Sequence, residues 1–196
     1  MEIHSGIAQE NKERLIPVRE LATYRLVALP EAELQEALVE EREAFRYGMA
    51  GEWSACLQIA SFQANEMMED ILASWIEKIC YQLPAQKILL NNYGSDFNNS
   101  VYLRVQDASP LLDLNARLRI IDEYIRVNDC PPMRFPGRYG IVIFSALRSG
   151  VFESAVSFYS RKEFNAQMSL KKLALLRKSH GEDVFRTRNY FRLKEG

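Results

Sequence analysis

The sequence predicts an α+β or α/β fold with a repeated unit set around a central cleft. Two observations carry this. Segments rich in aliphatic and β-branched residues alternate with segments whose apolar residues recur at helical spacing. One strand–loop–helix unit also occurs twice: Cys56-Leu57-Gln58-Ile59 leads into an amphipathic helix, and Gly140-Ile141-Val142-Ile143 does the same 84 residues later. A duplicated unit with pseudo-twofold symmetry places those two strands on opposite sides of the cleft.

Taken in order, Tyr24 to Leu29 reads as a strand. Pro30 suits the first turn of a helix, with Glu31 and Glu33 at its positive end, Leu34, Leu38 and Phe45 on its inner face, and Gly48 and Gly51 after it. Cys56 to Phe62 is the next strand, and Asn65 caps a helix whose inner stripe is Met68, Ile71, Leu72, Trp75, Ile76 and Ile79. Lys87 to Leu90 and Val101 to Val105 are strands, with Asn91 to Asp96 read as the turn between them. Ser109 caps a third helix with Pro110 at its first position, and Leu111, Leu114, Leu118, Ile121 and Ile125 form its buried stripe. Cys130 to Gly137 must be a loop, because its prolines and glycine break either regular state. Gly140 to Phe144 is a strand, Val151 to Tyr159 a short helix, and Leu170 to Arg177 with Val184 to Leu193 a terminal strand pair turning near His180.

Composition bounds the function classes. The 196 residues are 47% hydrophobic and 26% charged, the mix of an ordinary globule. A chain this long buries roughly 70% of its extended surface and needs no staples. Residues 1–20 read as a polar N-terminal extension, and residues 21–196 as one two-lobed domain. Lys and Arg total 25 against 26 Asp and Glu, which excludes a polyanion-coating protein but allows a local basic cleft. Cys56, Cys80 and Cys130 are odd in number and lack zinc spacing, so a disulfide framework or structural zinc is not expected and a cytoplasmic location is. Residues 1–20 lack the apolar stretch of a secretory signal, and no apolar run of about 18 residues marks a membrane span.

Several stretches resemble one family. Ile59 to Glu69 and Leu147 to Ala155 resemble the segments that follow the two signatures of the 2′-5′ RNA ligase-like, or two-histidine, phosphoesterases. Leu89 to Gly94, Val101 to Val105 and Leu175 to Lys178 are similar to its middle and last strands, so the likeness spans residues 23–193. The resemblance implies a bilobal, duplicated fold with mainly antiparallel sheets and outer helices. It also implies action on 2′,3′-cyclic phosphates or 2′-5′ linkages, without metal or other cofactor, by a pair of His-x-Thr/Ser signatures. The chain departs from that pattern at every signature position. The first His and Thr fall on Cys56 and Gln58, and the second pair on Gly140 and Val142. The two histidines present, His4 and His180, lie in neither signature strand.

General acid–base hydrolysis near neutrality needs groups that titrate there, and imidazole serves best. Gly140 transfers no proton and Val142 holds no phosphate oxygen. The sequence therefore predicts a catalytically degenerate relative with no catalytic residue assigned. Binding is carried instead by guanidinium, hydroxyl and amide groups, for which Gln58, Tyr102, Arg104, Arg134, Arg138 and Tyr139 are the candidates. The partner is a nucleotide or RNA end in the cleft, or a protein docked on the scaffold, and not a membrane; the oligomeric state stays open. The alternative is an active 2′,3′-cyclic phosphodiesterase or RNA ligase-like enzyme with rewired residues, in which Cys56 is exposed and reactive. Lys171-Lys172 and Arg177-Lys178 form a basic cluster, read either as a solvated strand edge or as a nucleic-acid contact.

Overall fold

The computed structural model describes residues 20–45 and 55–194. Its elements run β1 (Ala22–Ala28), α1 (Ala32–Glu43), β2 (Leu57–Ala64), α2 (Glu69–Gln82), β3 (Gln86–Ser95), β4 (Val101–Val105), α3 (Ser109–Val127), β5 (Gly140–Phe144), α4 (Ser149–Tyr159), β6 (Asn165–Leu170), β7 (Lys172–Lys178) and β8 (Arg186–Arg192). A single 3-10 turn, Glu66–Met68, leads α2, and the Asn65 side chain accepts the Met67 N–H as its cap.

The strands form one eight-stranded sheet in the order β6-β3-β4-β5-β2-β1-β7-β8, with every neighbouring pair antiparallel. The order reads outward from the β5–β2 junction. The run β1-α1-β2-α2 and the run β4-α3-β5-α4 occupy equivalent places on its two sides. Each crossover helix packs behind the other half's central strand, α3 on β2 and α1 on β5. The two signature strands are thus neighbours in a shared sheet, not walls facing across a gap. A single residue pair, Leu57 with Ile141, joins them.

Burial follows the sequence periodicity. On α3, Leu111, Leu114, Leu118, Ile121 and Ile125 are all buried, and on α2 Leu72, Ile76 and Ile79 are; Ile71 is exposed and Trp75 lies at the edge. Each fully buried aliphatic side chain contributes about 1.5–3 kcal/mol. Phe45 is buried although α1 ends before it; Gly48, Gly51, His4 and the extension lie outside the described residues. Among the described residues no helix is long and apolar enough to cross a membrane.

Three expectations are corrected. Asn91 to Asp96 is not a turn, because β3 pairs with β4 and β6 through that stretch. Its turn-forming residues make an irregularity instead: Asn92 sits at φ 55, donates its N–H to Phe164 O and accepts the Phe164 N–H on Oδ1. The chain reverses at 96–100, where Asp96 Oδ1 accepts the Asn98 and Ser100 N–H groups. The first residue of α3 is Ser109 itself, whose N–H is taken by the Asp107 carboxylate, so Pro110 follows one place later than expected. Finally, the expected terminal pair is present as β7 with β8, but Leu170 ends a separate strand, β6. Lys171 alone separates β6 from β7, yet these stand near opposite ends of the strand order. The sheet must curl for one residue to span them. The Pro84–Lys194 bridge draws the same two ends together.

Candidate functional site

The site is built from strand alternation at the β2–β5 junction. Leu57, Ile59, Ile141 and Ile143 are fully buried against the helices. Residues 56, 58, 140 and 142 therefore face the other side of the sheet. Antiparallel register from the Leu57–Ile141 pair sets Cys56 across from Val142 and Gln58 across from Gly140. A local twofold axis through that pair relates 56 to 140 and 58 to 142. From β4, Tyr102 pairs with Val142 and Arg104 with Gly140, so both join the same face.

Tyr102, Arg138, Gly140 and Val142 line one pocket with Asp96 and Gly137, of about 310 Å³. The Tyr102 ring lies against two glycines. A Cβ at Gly140 would collide with the Leu103 carbonyl and lie 2.6 Å from Tyr102 Cδ2, and a Cβ at Gly94 would lie 2.9 Å from Tyr102 Cζ. Glycine in these strands marks close approach. Position 140 therefore takes no side chain unless Tyr102 and β4 move. Val142 is 43% exposed, an apolar surface on the pocket wall.

The remaining candidates separate. Arg138 is exposed at the pocket rim. Arg104 is exposed on the same face, its Nε donating to Asn91 O at 3.3 Å. Gln58 and Cys56 are half-buried on the β2 side and do not line that pocket. Arg134 lies elsewhere: its backbone exchanges two hydrogen bonds with Ser61, and it borders a separate hollow of about 130 Å³ with Thr23, Gln63 and the two prolines of its loop. Tyr139 is buried on the core side, where its hydroxyl meets the Asn115 amide. Alternation explains this, since 139 and 141 share one face and 140 and 142 the other. Burial pushes the Tyr139 phenol up, against the Asn115 contact.

Burial also pushes the Cys56 thiol up, and the opposing Arg25 charge does not reverse it. That direction is opposite to the one that activates a thiolate. His180 is exposed in the turn before β8. Among the described residues no group of three or more His, Cys, Asp or Glu is placed to hold a metal ion. The pocket thus offers a guanidinium, a phenol and a carboxylate to a ligand, and its lining holds no imidazole or thiol. Sequence reading placed Gly140 at the site but missed Asp96 and the close approach of Gly94 to Tyr102. The Asp-x-Asn-Asn-Ser pattern of a side-chain-stabilised turn was a usable signal for Asp96.

No protein-family model matches the sequence, and no curated protein matches it. Solved structures do. A crystal structure of a phosphoesterase superposes with a TM-score of 0.65 at 15% identity, covering 89% of this chain and 99% of that one. E. coli LigT, solved with 3′-AMP, superposes at 0.64 with 14% identity over 89% of this chain and 98% of its own. TT0787 of Thermus thermophilus follows at 0.62 and 15%, over 88% and 98%. The chain has the LigT-like, two-histidine phosphoesterase fold. LigT has also been solved with ATP and with NADP+. The LigT-like fold accounts for the curled antiparallel sheet and outer helices implied by the resemblance.

Proposed function

We propose that this protein is a non-hydrolysing member of the phosphoesterase fold that binds a nucleotide or RNA terminal phosphate in the pocket between β4 and β5. The observation that carries the reading is the closure of position 140 by Tyr102 and the Leu103 carbonyl. Where the fold's signature calls for an acid–base imidazole, there is a glycine with no room above it. The loss of one general acid or base typically costs about 10²–10⁴ in rate, and members of a site act as a unit. Arg138 and the Tyr102 hydroxyl supply donors suited to phosphate oxygens. LigT's capture of adenine nucleotides supports the ligand class by analogy of fold. The matching order of the two half-sheets supports an origin by duplication, with residues 21–196 as one domain. Free Cys56, Cys80 and Cys130 fit a reducing, cytoplasmic setting.

The test is calorimetric titration with 3′-AMP and a 2′,3′-cyclic nucleotide, followed by chromatography of the same samples. The expected result is saturable binding with the nucleotide recovered unchanged, and about tenfold weaker binding by Arg138→Ala. Turnover of the cyclic nucleotide would overturn the non-hydrolysing reading and establish the rewired enzyme. Absence of heat with either ligand would overturn phosphate binding.

A further inference from the structure

The chain's near-neutral balance hides a strong asymmetry. Residues 171–194 carry eight Lys or Arg and two Asp or Glu, leaving 17 cations against 24 carboxylates elsewhere. Part of this charge is neutralised on the core side: Arg177 meets Glu66 and Glu69, Arg188 meets Glu69, and Arg186 meets Glu182. The rest is not. Leu173, Leu175 and Phe191 are in the core, so Lys172, Tyr190 and Arg192 face the opposite, helix-free side. Arg25, between core residues Tyr24 and Leu26, faces that side too, as does Lys178 beside core-facing Arg177. None of Arg25, Lys172, Lys178 and Arg192 makes an ion pair among the described residues.

These cations are arranged at a cost. Lys172 and Arg192 are direct cross-strand partners, a like-charge pairing that destabilises a sheet. Arg25 and Lys178 crowd one ring, that of Phe185, at 4.1 and 5.7 Å. Between them lies Tyr190, 55% exposed, with Lys172 Nζ 4.5 Å from its ring. Cations without an ion pair among the described residues, interleaved with half-buried Phe185 and exposed Tyr190, fit a ligand that supplies both repeated negative charge and flat rings. Single-stranded nucleic acid supplies both. An acidic peptide supplies only the charge.

We propose that the helix-free face of β1, β7 and β8 is a binding track for single-stranded RNA. Phosphates lie against Arg25, Lys178, Lys172 and Arg192, and a base stacks on Tyr190. The track is on the same face of the sheet as the pocket between β4 and β5. The inference rests on the phosphate reading of that pocket only in taking the strand's end to be held there.

The experiment is fluorescence anisotropy of the full chain with an oligoribonucleotide of about 12 nucleotides, within the usual site-size range, bearing or lacking a 3′-phosphate, across a salt series. The 12-mer is expected to bind tighter than 3′-AMP and to weaken steeply with salt. The Lys172→Gln/Arg192→Gln pair should lower the slope of log K against log salt by about 0.7 per lost phosphate contact. Tyr190→Ala should weaken the 12-mer roughly 5- to 100-fold. Both should leave 3′-AMP binding unchanged, with unchanged melting temperature showing that they fold. Lys178→Gln is the second variant if they do not. Loss of the 3′-phosphate preference with patch dependence retained would keep the track and remove the pocket reading. A 12-mer that binds no tighter than 3′-AMP, variants that bind it like the parent, or equal displacement by poly-glutamate with no effect of Tyr190→Ala would overturn the track.

Discussion

The two sides of the β2–β5 junction share one backbone geometry and fill it differently. On β2 the outward positions hold Cys56 and Gln58, half-buried side chains with a polar or thiol end. On β5 they hold Gly140 and Val142, and Tyr102 from β4 occupies the space above the glycine. What both keep is the inward residue, Leu57 on one strand and Ile141 on the other, fully buried and paired with each other. The lesson is that inward residues hold the scaffold while outward residues are free to change. Scaffold and site can vary independently because the two are carried by alternate residues of the same strand.

The two halves also differ in how they are braced. Beside β2, Glu69 of α2 accepts Tyr24 Oη at 3.1 Å, Arg177 at 2.9 Å and Arg188 at 2.9 Å, tying β1, β7 and β8 to one carboxylate. On the other side Glu41 of α1 takes Lys162 at 2.8 Å and the Tyr93 hydroxyl at 2.5 Å. Glu69 is 8% exposed, and removing it strands the Arg188 guanidinium and the Tyr24 hydroxyl and leaves Arg177 with Glu66 alone. Glu69→Ala is therefore the largest break in the comparison, costing about 2–4 kcal/mol in urea unfolding. Glu41→Ala removes a side chain 24% exposed, against 11% for that of Glu69, and should cost less than half of that. Equal losses would show that the two braces are equivalent.

Next in size is the placing of a histidine at position 140. Gly140→His should destabilise by about 1–3 kcal/mol through overpacking against Tyr102 and β4. Adding Tyr102→Ala removes one of the two obstacles. The double variant should be more stable than the two single losses predict, a coupling of about 1 kcal/mol or more read from a double-mutant cycle. Strict additivity would mean that Tyr102 does not close the position.

The pH dependence separates the halves further. Burial alone would raise the Glu69 carboxyl, but the Arg188 and Arg177 guanidiniums hold it below its ordinary value. Its folded-state pKa is thus lower than its unfolded one, about 4.3. The associated stability is present above that pH and is lost as pH falls through the lower folded value. Urea midpoints should decline below about pH 4.3, and Glu69→Gln should flatten the decline. A variant that declines as steeply as the parent would assign the acid sensitivity elsewhere. The smallest effect belongs to Val142→Thr. That side chain is exposed, so stability should change by about 0.5 kcal/mol or less, while a hydroxyl is added to the pocket wall. A larger loss would mean that Val142 packs more tightly than its exposure indicates.

Much of this was readable in the chain. Helical stripes such as Leu111 to Ile125 and the strands at 57 and 141 follow from period and branching, which act locally. The leucines and isoleucines of the helical stripes are buried where the pattern puts them, except Ile71, which is exposed. The stretch at Asn91 was misread because turn-forming residues serve a bulge as well as a reversal, and only pairing on both sides tells which. Arg134 and Tyr139 were grouped with the site because they lie near Gly140 in sequence. Alternation turned Tyr139 toward Asn115, and the bridge to Ser61 carried Arg134 to another hollow.

The sequence by itself determined the alternation of strands and helices, the absence of histidine from the two signature strands, and which face of each element would be apolar. These are properties of short windows, set by side-chain type and a period of 2 or 3.6. Tertiary structure alone decided three things: that the two signature strands pair at Leu57 and Ile141, that Tyr102 fills the room above Gly140, and that cations distant in sequence, Arg25 and Lys178, meet over Phe185. Each depends on which strands become neighbours. Neighbours are chosen by burial of the whole apolar face at once, a quantity that no local window contains.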